Sequence, residues 1–189
     1  MFSLWEPPKN EIEYEGDVYE YDASFDTALA LMELMELKQT SEIVKHETAI
    51  EMLFDDERVV DMEIVQQNRL LKEVVKQLFN NGEEFEKRDI NGNVVPMPKI
   101  KSKKYMSFKY DAAYIYAAFM QTYGIDLHEQ FGVMHWHTFL ALLDGLSDET
   151  QFIKIVNIRK WKKPSKHMTE EQQYRRLKKE LALPEEEVD

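Results

Sequence analysis

Apolar side chains recur at helical spacing between residues 108 and 159, and this pattern constrains the fold more than any other feature of the sequence. In its first part they fall three and four residues apart, which places them along one face of an α-helix. These side chains are Ala112, Ile115, Tyr116, Phe119, Met120 and Tyr123. Gly124 then ends the pattern, since glycine readily adopts the left-handed conformation that closes a helix. The segment predicts a helix that buries one apolar face.

Two further helices are predicted in the same segment. The second has an apolar face made of Trp136, Phe139, Leu140, Leu143 and Leu146. Ser147 can cap the third helix, whose inward side chains are Phe152, Ile155 and Val156. Because only a few residues separate consecutive helices, each helix must pack against its neighbour. We therefore expect a mainly α protein in the form of a compact helical bundle.

The N-terminal part begins differently. Residues 12–21 alternate between apolar and polar and turn at Glu15-Gly16-Asp17, which predicts a small β-hairpin. Ser24 can cap a helix that runs from Phe25 to about Lys38. Its predicted inward face holds Phe25, Ala28, Leu29, Met32 and Met35. Two more helices are expected, at about residues 42–54 and 61–80.

We expect one helical core with less regular segments. An extended N-terminal segment and the hairpin cover residues 1–22, and the helical core covers residues 23–160. Within the core, residues 83–104 combine an Asn91-Gly92 turn signal with two prolines and a lysine run, which predicts a mobile insertion. Residues 161–189 predict a flexible tail that is first basic and then acidic. A charged helix from Thr169 to about Leu181 is expected inside that tail.

Composition excludes several classes of protein. The chain has 189 residues, 43% of them hydrophobic, which is enough for one buried core. It has no cysteine, so it can hold neither a disulfide nor a thiolate zinc site. No apolar run reaches the ~18 residues that span a bilayer. The N-terminus also lacks the basic and apolar regions of a signal peptide. We expect a soluble intracellular protein without a membrane partner.

Charge is distributed unevenly along the chain. Residues 1–98 carry 9 Lys and Arg against 23 Asp and Glu, a net charge of −14, and residues 99–189 carry a net charge of +2. An acidic body repels nucleic-acid phosphates, which argues against a nucleic-acid partner. Basic residues nevertheless cluster at 99–104 and at 159–166, where Trp161 could stack on a base. Solvated loop charge is the favoured interpretation of both clusters.

No arrangement of residues indicates catalysis. His128-Glu129 begins like a zinc-protease helix, but Gly132 stands where the second histidine is required. His135 and His137 are two residues apart, a spacing that would place them on different faces of a helix and disfavours joint metal binding. An acidic run, Asp55, Asp56, Glu57 and Asp61, lacks the glycine of a calcium loop. We expect no enzyme and no catalytic, cofactor-binding or metal-binding residues.

Several motifs together resemble a known family. The opening FSLWEPP and the hairpin are followed by the block FKYDAAYIYAAFMQTYGIDL, then by HWHTFLALLDGL and DETQFIKIVNIR. In this order they resemble the bacteriophage gene-product-fifteen family, found in siphophages and prophages of Gram-positive bacteria. The resemblance covers about residues 2–38 and 105–160. Residues 83–104 and the basic tail match nothing recognisable.

The resemblance implies a role as a tail assembly chaperone. Such proteins coat the long helical tape measure protein in the host bacterial cytoplasm and are absent from the mature virion. A companion chaperone from the adjacent reading frame is a second implied partner. The alternatives are a structural tail component or connector that is retained in the virion, and a nucleic-acid-associated regulator that uses residues 159–166. The oligomeric state is open.

A chaperone of this kind needs an apolar surface for amphipathic helices. Flexible methionines suit such a surface, and Met32 and Met35 share a helix face with Phe25 and Leu29. Large aromatic side chains also anchor interfaces. The candidate partner-binding residues are Met32, Met35, Trp136, Phe139 and Trp161. For the first four, a place in the core is the favoured alternative.

Overall fold

The computed structural model describes residues 4–79, 105–161 and 168–184. Two β-strands open the chain, β1 (Glu11–Tyr14) and β2 (Asp17–Glu20). Eight α-helices follow within the described residues: α1 (Phe25–Glu36), α2 (Glu42–Leu53), α3 (Glu57–Val60), α4 (Ile64–Phe79), α5 (Ala112–Tyr123), α6 (Trp136–Asp144), α7 (Gln151–Lys160) and α8 (Met168–Glu180). A 3₁₀ turn, Leu127–Gln130, lies between α5 and α6. The predicted fold class, mainly α with a small N-terminal hairpin and a charged C-terminal helix, is confirmed.

The chain divides into two compact units. The first comprises residues 1–98 and 130–141, and the second comprises residues 99–129 and 142–189. The mobile insertion predicted at 83–104 lies outside the described residues, as do residues 162–167 and 185–189 of the predicted tail. No helix of the described segments is long and apolar enough to cross a membrane.

The hairpin forms because its turn suits the twist of its strands. Glu15 and Gly16 have φ angles of 53° and 92°, the pair of positive values that a tight hairpin turn requires. Ile12 lies opposite Tyr19 across the ladder, and both are buried. Glu11 and Glu20 are opposed at the other end of the hairpin. The strands therefore present one apolar face to the first unit and an acidic face to solvent.

Two backbone hydrogen bonds join residues 134–136 to residues 23–25 at the start of α1, and we call this pair of bonds the backbone exchange. The amide of Phe25 donates to the carbonyl of Met134 at 2.9 Å, and the amide of Trp136 donates to the carbonyl of Ala23 at 2.7 Å. Asp26 accepts a further hydrogen bond from the amide of Gly132 at 2.9 Å. These bonds fix the start of α6, as far as Ala141, beside α1 within the first unit.

Aromatic rings form the core at this junction. Phe139 stacks on Phe25 with ring centroids 4.9 Å apart, and Trp136 stacks on Phe139 at 5.6 Å. Phe79, at the end of α4, meets the edge of Trp136 at 6.0 Å. Trp136 is 3% exposed and Phe139 is 1% exposed. The prediction that both side chains belong to the core is confirmed.

The inward face of α1 differs from the predicted one. The buried side chains are Phe25, Ala28, Leu31 and Leu34, whereas Leu29 and Met32 are half-buried. Steps of three residues turn a helix by about 300°, so the buried face drifts around the axis. Met35 lies in the last turn and is 45% exposed. The predicted face was correct at Phe25 and Ala28 and wrong beyond them.

In the second unit, a buried ion pair joins the start of α5 to the end of α7. Arg159 donates from Nη1 to Asp111 Oδ2 at 2.7 Å and from Nη2 to Asp111 Oδ1 at 2.8 Å. The same guanidinium donates to the carbonyls of Tyr105, at 3.1 Å, and Leu181, at 2.6 Å. Asp111 is 1% exposed and Arg159 is 9% exposed. Arg159 therefore belongs to the core of its unit, which corrects its assignment to the basic cluster 159–166.

The sequence predicts where α5 ends and which residue caps α7, and the structure confirms the first of these predictions but not the second. Gly124 ends α5 with a left-handed φ of 67°, as its position predicts. The cap of α7 is Thr150 rather than Ser147, because the hydroxyl of Thr150 accepts from the amide of Ile153 at 3.4 Å. Ser147 instead supplies the carbonyl that accepts the hydroxyl proton of Thr150 at 2.8 Å.

The helix α8 packs against α7. The ring of Tyr174 stacks on Trp161 with centroids 5.3 Å apart. Lys178 Nζ donates to the carbonyl of Trp161 at 2.7 Å. Together with the bond from Arg159 to Leu181, these contacts hold the C-terminal helix in its unit.

Replacing Trp136 with Ala tests the aromatic core of the first unit. We expect the free energy of unfolding to fall by about 3–5 kcal/mol, because a large buried side chain leaves a cavity between Phe79 and Phe139. Urea unfolding followed by circular dichroism measures the change. Trp161→Ala serves as the control and should cost less, since Trp161 is only half-buried. An unchanged midpoint for Trp136→Ala would contradict the packing described here.

The Asp111–Arg159 pair is tested by a double-mutant cycle. Arg159→Met leaves the buried carboxylate of Asp111 without its cation, and we expect a loss of about 3–5 kcal/mol in unfolding free energy. Asp111→Asn combined with Arg159→Met should cost clearly less than the sum of the two single changes. The exposed pair formed by Arg176 and Glu180 supplies the control, and Arg176→Met should leave stability essentially unchanged. Additive effects at 111 and 159 would show that the pair is not coupled.

Candidate partner-binding surfaces

The structure places the predicted partner-binding residues in both units and at different degrees of burial. Trp136 and Phe139 are buried in the first unit, and Trp161 is half-buried against Tyr174 in the second. Met32 is half-buried on α1, and Met35 lies in its last turn. Phe139 contacts Phe25, the first residue of α1, so Met35 lies about 15 Å further along the helix axis. Of the five candidates, Met35 presents the largest exposed fraction.

Met35 belongs to a larger group of exposed apolar side chains that sequence reasoning missed. We call this group the α1–α2 edge, and it consists of Met35, Leu37, Ile43 and Val44. Their exposed fractions are 45%, 45%, 67% and 47%. All four lie where α1 ends and α2 begins, separated by a short connection. The edge is therefore an apolar corner of a helical hairpin within the first unit.

The local structure explains why these side chains remain outside the core. Leu37 is the C-terminal cap of α1 and has left the helix for an extended conformation. Ser41 caps α2 and accepts from the amide of Val44 at 3.3 Å, which starts the helix at Glu42. Val44 then lies about 140° around the helix from the buried Ala49. A helical-wheel comparison of Val44 with Ala49 would have indicated this exposure from the sequence.

A second exposed apolar group lies at the start of α4. Val60, Ile64 and Val65 are 59%, 65% and 59% exposed. Ile64 and Val65 occupy the first turn of α4, as Ile43 and Val44 occupy the first turn of α2. The two Ile-Val pairs are matched in type, exposure and place in a helix, so one can serve as a control for the other.

A groove of about 780 Å³ lies between β2 and the residues that end α2. Its carboxylates are Glu20, Asp22, Glu51, Asp55 and Asp56. Arg58 lies in the same groove, donates to Asp56 at 2.7 Å and rests 4.9 Å from the ring centre of Tyr19. The hydrogen bond from Arg58 lowers the pKa of Asp56 below its usual value. Within the described segments, no group of three histidine or acidic side chains is arranged to hold a metal ion.

Tyr21 is one of the residues that line this groove. Burial raises the pKa of its phenol from 10.0 to about 12, and the hydroxyl donates to Gln77 Oε1 at 3.0 Å. Because the raised pKa favours the neutral phenol in the folded state, its contribution to stability is complete below pH 10. That contribution is lost as the pH rises from 10 towards 12.

Alkaline titration tests this burial. We expect the tyrosinate absorbance of the folded protein to include one late step near pH 12, assigned to Tyr21 because Tyr21→Phe removes it. Tyr110→Phe, a change at a tyrosine that is 53% exposed, should leave the late step in place. Loss of the late step in Tyr110→Phe, or its persistence in Tyr21→Phe, would refute the assignment.

The two neighbouring histidines are closer than their spacing predicts. His135 precedes α6 rather than lying on it, so the rings of His135 and His137 stack with centroids 5.2 Å apart. His135 Nδ1 accepts from the amide of His137 at 3.1 Å, and its Nε2 lies 3.3 Å from the carbonyl of Lys9, which requires the proton on Nε2. Burial lowers the pKa of both rings. His135 therefore acts as a structural link, with both ring nitrogens already engaged.

Comparison with known proteins identifies the family. A sequence model of the family described as Bacteriophage Gp15 protein matches residues 8–183. The chain belongs to the bacteriophage Gp15 family. No curated protein and no solved structure matches the chain.

The family match is wider than the motifs of the sequence alone indicate. Those motifs cover about residues 2–38 and 105–160, whereas the match also includes the middle of the chain and α8. The family match therefore includes residues 83–104 and the tail as far as residue 183, where the motifs alone gave no resemblance. The resemblance relied on ordered aromatic motifs, and the charged segments between them carry few such markers.

Proposed function

We propose that this Gp15 protein is a tail assembly chaperone that binds the phage tape measure protein during tail morphogenesis. It acts by binding alone, without catalysis or a cofactor, in the cytoplasm of the host bacterium, and it leaves before the virion matures. Membership of the bacteriophage family supports a role in the phage. The observation that carries the proposal is the α1–α2 edge, an exposed apolar corner built from two helices.

The shape and chemistry of the α1–α2 edge suit a helical partner. An amphipathic helix presents apolar side chains every three or four residues, and the exposed apolar side chains of the edge are of the type that packs against such a stripe. Burying a side chain of this size stabilises a complex by about 1.5–3 kcal/mol before the costs of association. Met35 adds a flexible thioether that adapts to different sequences. A long helical partner offers many such stripes to successive copies of the chaperone.

The net charge of −12 complements this mode of binding. Copies that coat one partner carry like charge, which keeps coated complexes soluble and limits their aggregation. Because the attraction to the partner is apolar, added salt should leave it in place while it screens repulsion between copies. A complex that survives moderate salt is therefore expected.

Co-expression with the tape measure protein of the same phage tests the proposal. The intact chain should keep that partner soluble and co-purify with it across a salt series. Ile43→Asp combined with Val44→Asp should lower recovery of the complex at least tenfold, because two carboxylates would be buried against an apolar stripe. The matched control is Ile64→Asp combined with Val65→Asp, which places the same charges in the first turn of α4. Equal loss in both double variants would remove the α1–α2 edge from the interface.

A second measurement distinguishes a chaperone from a structural tail component or connector. Mass spectrometry of purified mature particles should find no copies of a chaperone, whereas a structural component or connector would be present at a fixed number per tail. Absence of a complex at every salt concentration, together with incorporation into finished tails, would refute the chaperone proposal. The companion chaperone from the adjacent reading frame is a further proposed partner. Adding it to the co-expression shows whether it joins the same complex.

A further inference from the structure

The outer edge of β2 has no neighbouring strand within the described residues. The amide of Tyr21 donates to the carbonyl of Asn10 at 2.8 Å, so these two residues form a hydrogen-bonded pair that extends the antiparallel ladder. Such pairs alternate with pairs that exchange no hydrogen bonds, so the backbone of Tyr19 also faces β1. The backbone groups of Val18 and Glu20 point away from β1. The hairpin therefore presents an open strand edge.

Most backbone groups on this open edge have no partner in the described part of the chain. The carbonyl of Val18 lies 3.5 Å from Nη2 of Arg58. The amides of Val18 and Glu20 and the carbonyl of Glu20 form no hydrogen bond there. Beyond Glu20 the edge is closed, because the amide of Asp22 donates to the carbonyl of Leu53 at 2.8 Å. The open edge is therefore short, and it suits the addition of a short extended segment.

The groove between β2 and the end of α2 runs along this open edge. On the side of β2 it is lined by Val18, Glu20 and Asp22, the alternate residues whose backbone groups point away from β1. Its volume of about 780 Å³ lies within the roughly 300–1,000 Å³ of typical ligand sites. Val18 is 53% exposed, so the groove is open to solvent beside the two amides. The groove therefore offers both space and backbone donors to a partner.

The charge of the groove, which we call the acidic groove, determines the kind of partner. Five carboxylates line it, against the single guanidinium of Arg58. Those of Glu20, Glu51 and Asp55 form no hydrogen bond or ion pair within the described residues, so cationic side chains of a partner can pair with them. A second copy of this chain would instead bring the same carboxylates against each other. Charge therefore favours a basic partner over self-association.

We propose that the acidic groove binds an extended, lysine- or arginine-containing segment of a partner protein, which adds a third strand to the open edge of β2. Its backbone pairs with the amides of Val18 and Glu20, and its cationic side chains pair with the carboxylates of the groove. Backbone pairing accepts any extended segment, and the carboxylates select a basic one. The acidic groove lies at the opposite end of α2 from the α1–α2 edge, and this proposal does not depend on the proposed function. The complex should weaken as salt is added, whereas the apolar complex with the tape measure protein should survive.

Fluorescence anisotropy of a labelled peptide tests the choice of partner. The probe is a short peptide of alternating lysine and valine, titrated with the full chain at low salt. We expect saturable binding that weakens about tenfold in Glu20→Gln combined with Asp55→Asn. Glu47→Gln combined with Glu63→Gln removes the same charge at exposed positions outside the groove and should leave binding unchanged. Equal weakening in both double variants, or no saturable binding, would overturn the proposal.

Amide hydrogen exchange, measured by NMR, distinguishes strand addition from charge attraction alone. The amides of Val18 and Glu20 should exchange rapidly in the free chain, and saturating peptide should slow both. The amide of Glu13, opposite Val18 on β1, points to the other edge of the hairpin and is the matched control, whose exchange should not change. Unchanged exchange at Val18 and Glu20 with peptide bound would overturn the proposal. Slow exchange of both amides in the free chain would also overturn it, because the protein, alone or with a second copy, would then already cover this edge.

Discussion

The backbone exchange between residues 23–25 and 134–136 determines how the first unit is assembled. Two hydrogen bonds of 2.7 and 2.9 Å join segments that are more than a hundred residues apart in sequence. They place Phe139 against Phe25 and Trp136 against Phe79, so the aromatic core depends on them. They also place His135 beside Lys9, two residues before β1. Without this exchange, α1 would expose the face that its aromatic neighbours cover.

The second unit depends on a different kind of contact. Arg159 uses its planar guanidinium to bind a carboxylate and two backbone carbonyls from two separate segments, residues 105–111 and Leu181. Four donated hydrogen bonds offset much of the cost of removing the ion pair from water. A lysine offers a single point charge and could not satisfy the same acceptors. The ion pair therefore fixes geometry in the second unit, as ring stacking does in the first.

The sequence predicts those features that arise from local physics. The hairpin turn at Glu15-Gly16 and the end of α5 at Gly124 follow from backbone conformations that neighbouring residues determine. The apolar stripe of α5 was predicted only in part. Ile115 and Phe119 are buried as predicted, whereas Ala112 is exposed and Met120 is 40% exposed. The role of Arg159 could not be predicted, since its partner Asp111 is distant in sequence. The stacking of His135 on His137 was missed because the start of α6 depends on the backbone exchange with Ala23.

The candidate surfaces were harder to predict than the fold, for a related reason. Hydrophobic periodicity identifies apolar residues but gives no information on which of them remain exposed to solvent. Trp136 and Trp5 are the same residue type, yet one is 3% exposed and the other is 92% exposed. The difference comes from tertiary position, because Trp136 lies at a junction of three elements and Trp5 precedes the first of them.

Exposed apolar groups and strong negative charge have opposite effects on the association of this protein with other molecules. Exposed apolar side chains such as those of the α1–α2 edge favour association, whereas a net charge of −12 disfavours unrestricted aggregation. Long-range charge repulsion acts on every encounter between copies of the protein. Short-range apolar contact stabilises only those encounters in which the surfaces have complementary shapes. The balance selects partners that bury a defined apolar ridge and rejects loose contact between copies. A chaperone of the kind proposed above, which would cover a helical partner and later release it, would benefit from such a balance, because weak contacts repeated along the partner give stable coverage while each copy can still dissociate.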